Sequence, residues 1–112
     1  MRIEIKAWLY DILNAVNEIE GFLKDGPKDF DEYRLDIKTK RAVERNLEII
    51  GEAMSRILKI DDTFKVSDSR KMVDLRNRVI HGYDSISDQA IWGILINQLP
   101  VLHREVARLI EE

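Results

Sequence analysis

The residues best suited to chemistry lie in one short stretch, Arg76-Asn77-Arg78-Val79-Ile80-His81-Gly82-Tyr83. A histidine titrates near neutral pH and can take or give a proton. An arginine stays charged and can hold phosphate oxygens through two parallel hydrogen bonds. RNA cleavage without a metal needs a base for the ribose 2′-hydroxyl and a positive charge at the phosphate. His81 and Arg76 could fill these roles, so phosphodiester chemistry is the first hypothesis.

The stretch closes a predicted helix, which determines how its side chains are arranged. Asn77 and His81 are four residues apart and share a helical face. Arg76 and Tyr83 are seven apart and would share a neighbouring face if the helix continued. Gly82 favours a break at this point. Such a break would let the histidine and the tyrosine turn toward a common cleft.

Structural explanations also fit these residues. An Arg-x4-His spacing arises often by chance, and the helix dipole favours a histidine at a helix C-terminus such as His81. Arg78 lies four residues from Asp74 and can pair with it, which makes it a weaker catalytic candidate than Arg76. A tyrosine after a helix-ending glycine, as Tyr83 is, often packs with a hydrated hydroxyl. Spacing alone leaves both readings open.

Glu44, Glu48 and Glu52 form a glutamate row on one helical face, at intervals of four residues. Like charges at this spacing are mildly destabilising, so the row needs a reason. Nearby arginines could relieve the repulsion on a solvated face, an explanation that we prefer for Glu44: Arg41, Arg45 and Arg56. Alternatively, Glu48 or Glu52 contacts the arginine-histidine stretch, where a carboxylate would hold Arg76 or favour a protonated His81.

Apolar residues recur at helical spacing in four segments, which glycines, prolines and polar residues separate. The predicted helices cover residues 5–24, 30 or 35 to 58, 67 to 81, and 87 to 110. Ser67 and Ser87 are the expected N-caps of the last two. Asp25-Gly26-Pro27 should end the first, because glycine can take the left-handed cap conformation and proline cannot continue a helix, and Pro100 should bend the fourth without ending it. The pattern predicts an all-α, antiparallel four-helix bundle, with residues 1–112 forming a single domain.

Two features predict a partner surface. The fourth segment is apolar on most sides, which is typical of a helix that is buried on most sides. Gly51 lies in the middle of the second predicted helix, at a cost of about 1 kcal/mol relative to alanine. It therefore indicates a close backbone approach, to a neighbouring helix or to a second chain. We expect a homodimer, because a small domain gains buried area by association.

Composition excludes several classes of function. The chain contains no cysteine, which excludes disulfides and thiolate metal sites. Its net charge of −3 is unlike that of proteins that coat nucleic acid, so contact with RNA should be brief and should use a local basic patch. Candidates for that patch are Arg70, Lys71, Arg76, Arg78 and His81. No run approaches the roughly 20 apolar residues of a membrane span, and the N-terminus is unlike a signal peptide. We expect a cytoplasmic protein.

The sequence resembles the HEPN superfamily, specifically the HepT-like toxins of MNT–HEPN toxin–antitoxin pairs. Arg76, His81 and Tyr83 match the family motif Arg-x4-His-x-Tyr, and Asn77 occupies the polar position that commonly follows the arginine. The resemblance extends over nearly the whole chain through two further segments, Ala42-Val43-Glu44-Arg45-Asn46-Leu47-Glu48-Ile49-Ile50-Gly51-Glu52-Ala53 and Trp92…Leu99-Pro100-Val101-Leu102. Three matching segments in family order are far more specific than the motif alone.

The resemblance implies an all-α homodimer with paired motifs in a cleft at the interface. It implies a metal-independent endoribonuclease without a cofactor, in which His81 is the general base, Arg76 is the phosphate clamp, and Asn77 and Tyr83 are supporting donors. It also implies an MNT-type nucleotidyltransferase antitoxin that silences the toxin by attaching AMP to the motif tyrosine, here Tyr83. Two alternatives remain. One is a non-catalytic HEPN domain that is a nucleotide-binding or scaffold partner of the nucleotidyltransferase, and the other is a plain structural bundle.

Overall fold

The computed structural model describes residues 1–81 and 87–112, except for the side chains of residues 79–81. Within these residues the ordered elements are all helices, which confirms the all-α prediction. The six helices are α1 (Ile3–Asp25), α2 (Phe30–Leu35), α3 (Ile37–Ile60), α4 (Ser69–His81), α5 (Asp88–Asn97) and α6 (Leu99–Glu111). None of the helices in this part of the chain is long and apolar enough to cross a membrane.

The second predicted helix is divided at Asp36 into the short α2 and the long α3. The Asp36 carboxylate accepts hydrogen bonds from the Thr39 backbone N–H, at 3.0 Å, and from the Thr39 hydroxyl, at 2.7 Å. Asp36 is therefore the N-cap of α3. A helix that starts at Phe30 and runs unbroken is wrong, because this aspartate starts a new helix instead of continuing the first.

The start of α4 also differs from the prediction, which made Ser67 its N-cap. The Ser67 hydroxyl and backbone N–H both donate to the Glu105 carboxylate, at 2.5 and 2.8 Å. Ser67 is therefore not the N-cap of α4. The Asp68 carbonyl accepts the first helical bond, from the Met72 N–H. Asp68 has a φ of 60°, a left-handed conformation that aspartate tolerates better than most residues. A partner on α6, distant in sequence, has displaced the local cap.

The start of α5 and the end of α1 lie at the residues that the sequence predicted. Ser87 caps α5 as predicted, because its hydroxyl accepts a hydrogen bond from the Ala90 N–H at 3.0 Å. Gly26 ends α1 as predicted, and its φ of −114° lies outside the left-handed region that glycine can adopt. A Cβ at Gly26 would collide with the Phe22 carbonyl oxygen, so crowding explains the glycine here.

The fourth predicted segment is divided into α5 and α6 at Gln98. Gln98 keeps right-handed helical angles, and hydrogen bonds link it to Ile94 before it and to Leu102 after it. Pro100 lies in the first turn of α6, where its missing N–H leaves the ladder from α5 incomplete. The helical pattern continues beyond the proline to Glu111, as the sequence predicted, with a break in the assigned helix at Gln98.

Helix α3 is central in the bundle, because it packs against α1, α4 and α2. Helix α6 packs against α1, and α5 packs against α6 and α2. The largest fully buried apolar side chains include Leu9, Ile12, Ile19, Leu47, Ile50, Met54, Ile57, Ile91 and Leu99. Three apolar residues of α5 are buried, but Ile96 is 52% exposed. The core thus fixes α4 on α3, the pair of helices that carries the candidate site.

Candidate functional site

The position of Arg76 depends on a close contact between α3 and α4. The glycine at Gly51 lets the stem of Arg76 lie directly on the backbone of α3. A Cβ at Gly51 would lie 2.8 Å from the Met72 carbonyl oxygen and 2.9 Å from Arg76 Cγ, and it would overlap Arg76 Cβ. The close approach that this mid-helix glycine indicated is therefore made to a neighbouring helix of the same chain.

The guanidinium of Arg76 is held by two side chains. Its Nη1 donates to Asn77 Oδ1 at 2.7 Å, and its Nη2 donates to Glu52 Oε2. The side chain is 26% exposed, and its buried Nε has no hydrogen-bond partner among the described residues. Asn77 and Glu52 thus orient a partly exposed cation, which is the arrangement that a phosphate-binding arginine requires.

Glu52 is the member of the glutamate row that contacts Arg76. Glu44 pairs with Arg41 at 2.9 Å, and Glu48 pairs with Arg45 at 3.1 Å. Glu52 also accepts a hydrogen bond from Arg56 Nε at 3.0 Å, so its carboxylate lies between two guanidinium groups: Arg56 and Arg76. Ion pairing within α3 therefore accounts for Glu44. In the described part of the chain Glu48 is paired with Arg45 and does not reach Arg76.

These neighbours also determine the charge of Glu52. The hydrogen bond from Arg56 is the largest influence and lowers the pKa of Glu52 below its ordinary value. The positive charges of Arg76, Arg56 and Lys59 act in the same direction, while partial burial opposes them. Glu52 is therefore ionised at neutral pH and is available as an anionic support for Arg76.

Replacing Glu52 by glutamine is expected to destabilise the fold slightly at neutral pH and not at acidic pH. A carboxyl group whose pKa is lowered by folding stabilises the protein above its unfolded-state pKa, and this contribution is lost as the pH falls through the folded-state value. The effect should be less than about 1 kcal/mol, because a carboxylate that is 40% exposed is screened by water. Urea denaturation of parent and Glu52→Gln at several pH values measures it. A difference that persists unchanged in acid would contradict this role of the charge.

Arg76 and Glu52 lie in the wall of a cleft of about 380 Å³ between α1, α3 and α4. The described residues that line this cleft are Trp8, Asp11, Arg45, Glu48, Ile49, Glu52, Ala53, Arg56 and Arg76. Neither Trp8 nor Asp11 belongs to a predicted site. Trp8 was missed because it falls on the apolar stripe of α1, and no local motif marks Asp11. Their spacing of three residues, which places both on one helical face, was the available signal.

The remaining predicted site residues have different places. His81 is the last residue of α4, and its side chain is not among those described. Tyr83 lies outside the described residues. Asp74 and Arg78 are both described and are not joined by an ion pair; they line a second cleft, of about 500 Å³, together with Lys71. The predicted basic patch is therefore divided, because Arg76 faces a different cleft from Lys71 and Arg78.

Comparison with known proteins identifies the class of this helical protein. Residues 12–109 match the family model described as "Ribonuclease HepT-like". The chain is 36% identical to "Putative RNase MJ0127" of Methanocaldococcus jannaschii, with 97% of this chain and 89% of that protein covered. It is 39% identical to "Putative RNase MJ1380" of the same organism, with 92% and 94% covered.

A relative from another organism agrees with this class. The chain is 32% identical to "Probable ribonuclease HepT" of Thermococcus cleftensis, with 97% of this chain and 98% of that protein covered. No solved structure matches the chain. The fold and these similarities define a helical enzyme of the ribonuclease class. The chain belongs to the HepT-like ribonuclease family, within the HEPN superfamily, as the resemblance predicted.

Proposed function

We propose that this ribonuclease is the toxin of a toxin–antitoxin pair, a metal-independent endoribonuclease that works in the cytoplasm with Arg76 and His81 as its catalytic residues. The observation that carries the proposal is the placement of Arg76. Its guanidinium is oriented by Glu52 and Asn77 in the wall of a cleft, and it is partly exposed there. Because the surrounding side chains fix its direction, little entropy is lost when it binds a phosphate.

The proposed reaction is a transesterification within RNA. His81 takes the proton of a ribose 2′-hydroxyl, and the 2′-oxygen then attacks the neighbouring phosphorus. The bond from phosphorus to the 5′-oxygen breaks, and the proton returns to that leaving oxygen. Arg76 stabilises the extra negative charge on the phosphate during the attack, with Asn77 and Tyr83 as supporting donors. The products are a 2′,3′-cyclic phosphate end and a free 5′-hydroxyl end. A later hydrolysis can open the cyclic phosphate.

The proposal includes a homodimer with paired motifs in a shared cleft. Ile96 of α5 is half-exposed, which is compatible with an apolar surface that a second copy of the chain covers. Light scattering at micromolar concentration is expected to give a mass near twice the 13.1 kDa of the chain. A mass of a single chain under these conditions would remove the shared cleft from the proposal.

The proposed partner is an MNT-type nucleotidyltransferase antitoxin that attaches AMP to Tyr83. In that step the tyrosine oxygen attacks the α-phosphate of ATP, and pyrophosphate leaves. Incubation of both proteins with ATP is expected to add one or more AMP groups to the parent and none to Tyr83→Phe, as read by mass spectrometry. Modification of Tyr83→Phe to the same extent would place the acceptor elsewhere.

The direct test is cleavage of labelled RNA by the purified chain in the presence of EDTA. The expected result is endonucleolytic cutting, with no cutting by an Arg76→Ala/His81→Ala copy purified in parallel. Equal cutting by both proteins would identify a contaminant and contradict the proposal. Failure of the parent to cut any RNA, together with efficient AMP attachment to Tyr83, would instead support the non-catalytic alternative.

A further inference from the structure

The α1 wall of the cleft contributes an aromatic ring that the reaction does not use. Trp8 is partly buried against the core and also lines the cleft that contains Arg56 and Arg76. We infer that Trp8 and Arg56 form a binding subsite for one nucleotide of single-stranded RNA, next to the phosphate held by Arg76. This inference rests on the proposed function, because the nucleotide belongs to the strand that is cut.

The Arg56–Glu52–Arg76 arrangement indicates where a phosphate can bind. The Glu52 carboxylate pairs with both guanidinium groups, so Arg56 lies close enough to Arg76 for each arginine to bind one of two neighbouring phosphates of a strand. Arg56 is 56% exposed, and its hydrogen bond within the described residues uses Nε alone, so both of its terminal nitrogens can reach a ligand. Exposed ion pairs contribute little stability, so a phosphate can compete for Arg56 at small cost.

Trp8 supplies the other half of a nucleotide site. An indole ring offers a flat surface on which any base can stack, and this contact tolerates different sequences. The cleft volume of about 380 Å³ lies within the range of sites that hold small ligands. A phosphate on Arg56 and a base on Trp8 would therefore fix one nucleotide in the cleft, and the strand would continue toward Arg76.

The charge of the cleft predicts weak and moderately salt-dependent binding. Among the described residues, three carboxylates line it together with three guanidinium groups: Asp11, Glu48 and Glu52 against Arg45, Arg56 and Arg76. This balance prevents the long-range attraction that basic nucleic-acid-binding surfaces exert. Each phosphate that is neutralised should contribute roughly 0.7 to the slope of log K against log salt for a single strand. An enzyme that must release its cut product gains from such weak binding.

The two tryptophans of the chain allow a direct test. The probe is a ten-nucleotide 2′-O-methyl RNA, which lacks the attacking hydroxyl and cannot be cut by the proposed reaction. In Trp92→Phe, Trp8 is the one remaining tryptophan, and we expect saturable quenching of its fluorescence by the probe. In Trp8→Phe the remaining Trp92 packs against Tyr33 as a tilted ring pair, with centroids 5.2 Å apart, does not line the cleft, and its fluorescence should not change.

The contribution of Arg56 is tested by the affinity of the same probe. Arg56→Gln is expected to weaken binding about ten-fold and to reduce the salt slope by roughly 0.7. Arg34→Gln is the matched control, because Arg34 also forms an exposed ion pair within its helix, with Asp31, and does not line the cleft. Its affinity and salt slope should equal those of the parent.

The outcomes separate this inference from the proposed function. If Trp92→Phe unfolds, parent protein labelled with 5-fluorotryptophan provides the same test, since only the Trp8 resonance should shift on adding the probe. An unshifted Trp8 resonance, or parent-like affinity of Arg56→Gln, in a protein that cuts RNA would overturn the subsite and leave the function standing. Quenching at Trp8 in a protein that cuts no RNA would support the subsite and count against the ribonuclease mechanism.

Discussion

Replacing Gly51 by alanine is expected to lower the free energy of unfolding by about 2 kcal/mol or more, which is typical of overpacking at a tight contact. The added Cβ would lie 2.8 Å from the Met72 carbonyl oxygen and would overlap the Cβ of Arg76. Neither atom is the end of a flexible side chain, so α4 as a whole must move away from α3. This cost outweighs the gain of about 1 kcal/mol that alanine brings inside a helix.

Gly21→Ala is the matched control for Gly51→Ala. Gly21 lies within α1, and in the described part of the chain a Cβ there would have no atom within 4 Å beyond the adjacent backbone of its own helix. The same substitution should therefore stabilise the protein by up to about 1 kcal/mol. Urea denaturation followed by far-UV circular dichroism measures both variants. Equal stability of Gly51→Ala and the parent would show that α3 and α4 are not in tight contact here.

The Gly51→Ala variant should also lose ribonuclease activity at temperatures where it remains folded. A displaced α4 moves Arg76 relative to Glu52, and the wall of the cleft changes shape. RNA cleavage measured well below the unfolding midpoint separates this effect from loss of folded protein. Activity equal to that of the parent would mean that the position of Arg76 tolerates the shift.

The sequence predicted the helical segments because periodic apolar positions are a local property. Their ends were less predictable, because a cap depends on competing partners. The alternative start at Leu35 lies next to the boundary at Asp36, which caps its own helix, whereas Ser67 looked like a cap and instead binds Glu105, 38 positions along the chain. A contact at that distance depends on how α6 packs, which no local pattern contains.

In the candidate site, too, local spacing was predictable and contacts between helices were not. The spacing of the glutamate row offered contact of Glu48 or Glu52 with Arg76 as one of two explanations, and these two residues share one helical face and cannot be told apart along the sequence. The packing of α4 against Gly51 determines which glutamate Arg76 can reach, and Arg76 pairs with Glu52. Trp8 was unpredictable for a related reason, because an aromatic residue that is half in the core and half in a cleft has the same periodicity as a core residue.

Replacing His81 by alanine is expected to abolish RNA cleavage while changing stability by less than about 1 kcal/mol. The loss of a general base typically lowers a rate by about 10²- to 10⁴-fold. His81 is the final residue of α4, where a charged histidine interacts favourably with the helix dipole by at most about 1 kcal/mol. Single-turnover cleavage of labelled RNA and thermal unfolding measure the two quantities.

Arg76→Ala provides the contrast that makes the His81→Ala result interpretable. It should also abolish cleavage, but the Arg76 guanidinium binds Glu52 and the stem of the same side chain packs on Gly51, so stability should fall with activity. The two variants thus separate a residue needed for chemistry alone from one needed for chemistry and packing. If His81→Ala cuts RNA as fast as the parent, the base is another group, and Arg76 then acts with a proton acceptor that the motif does not contain.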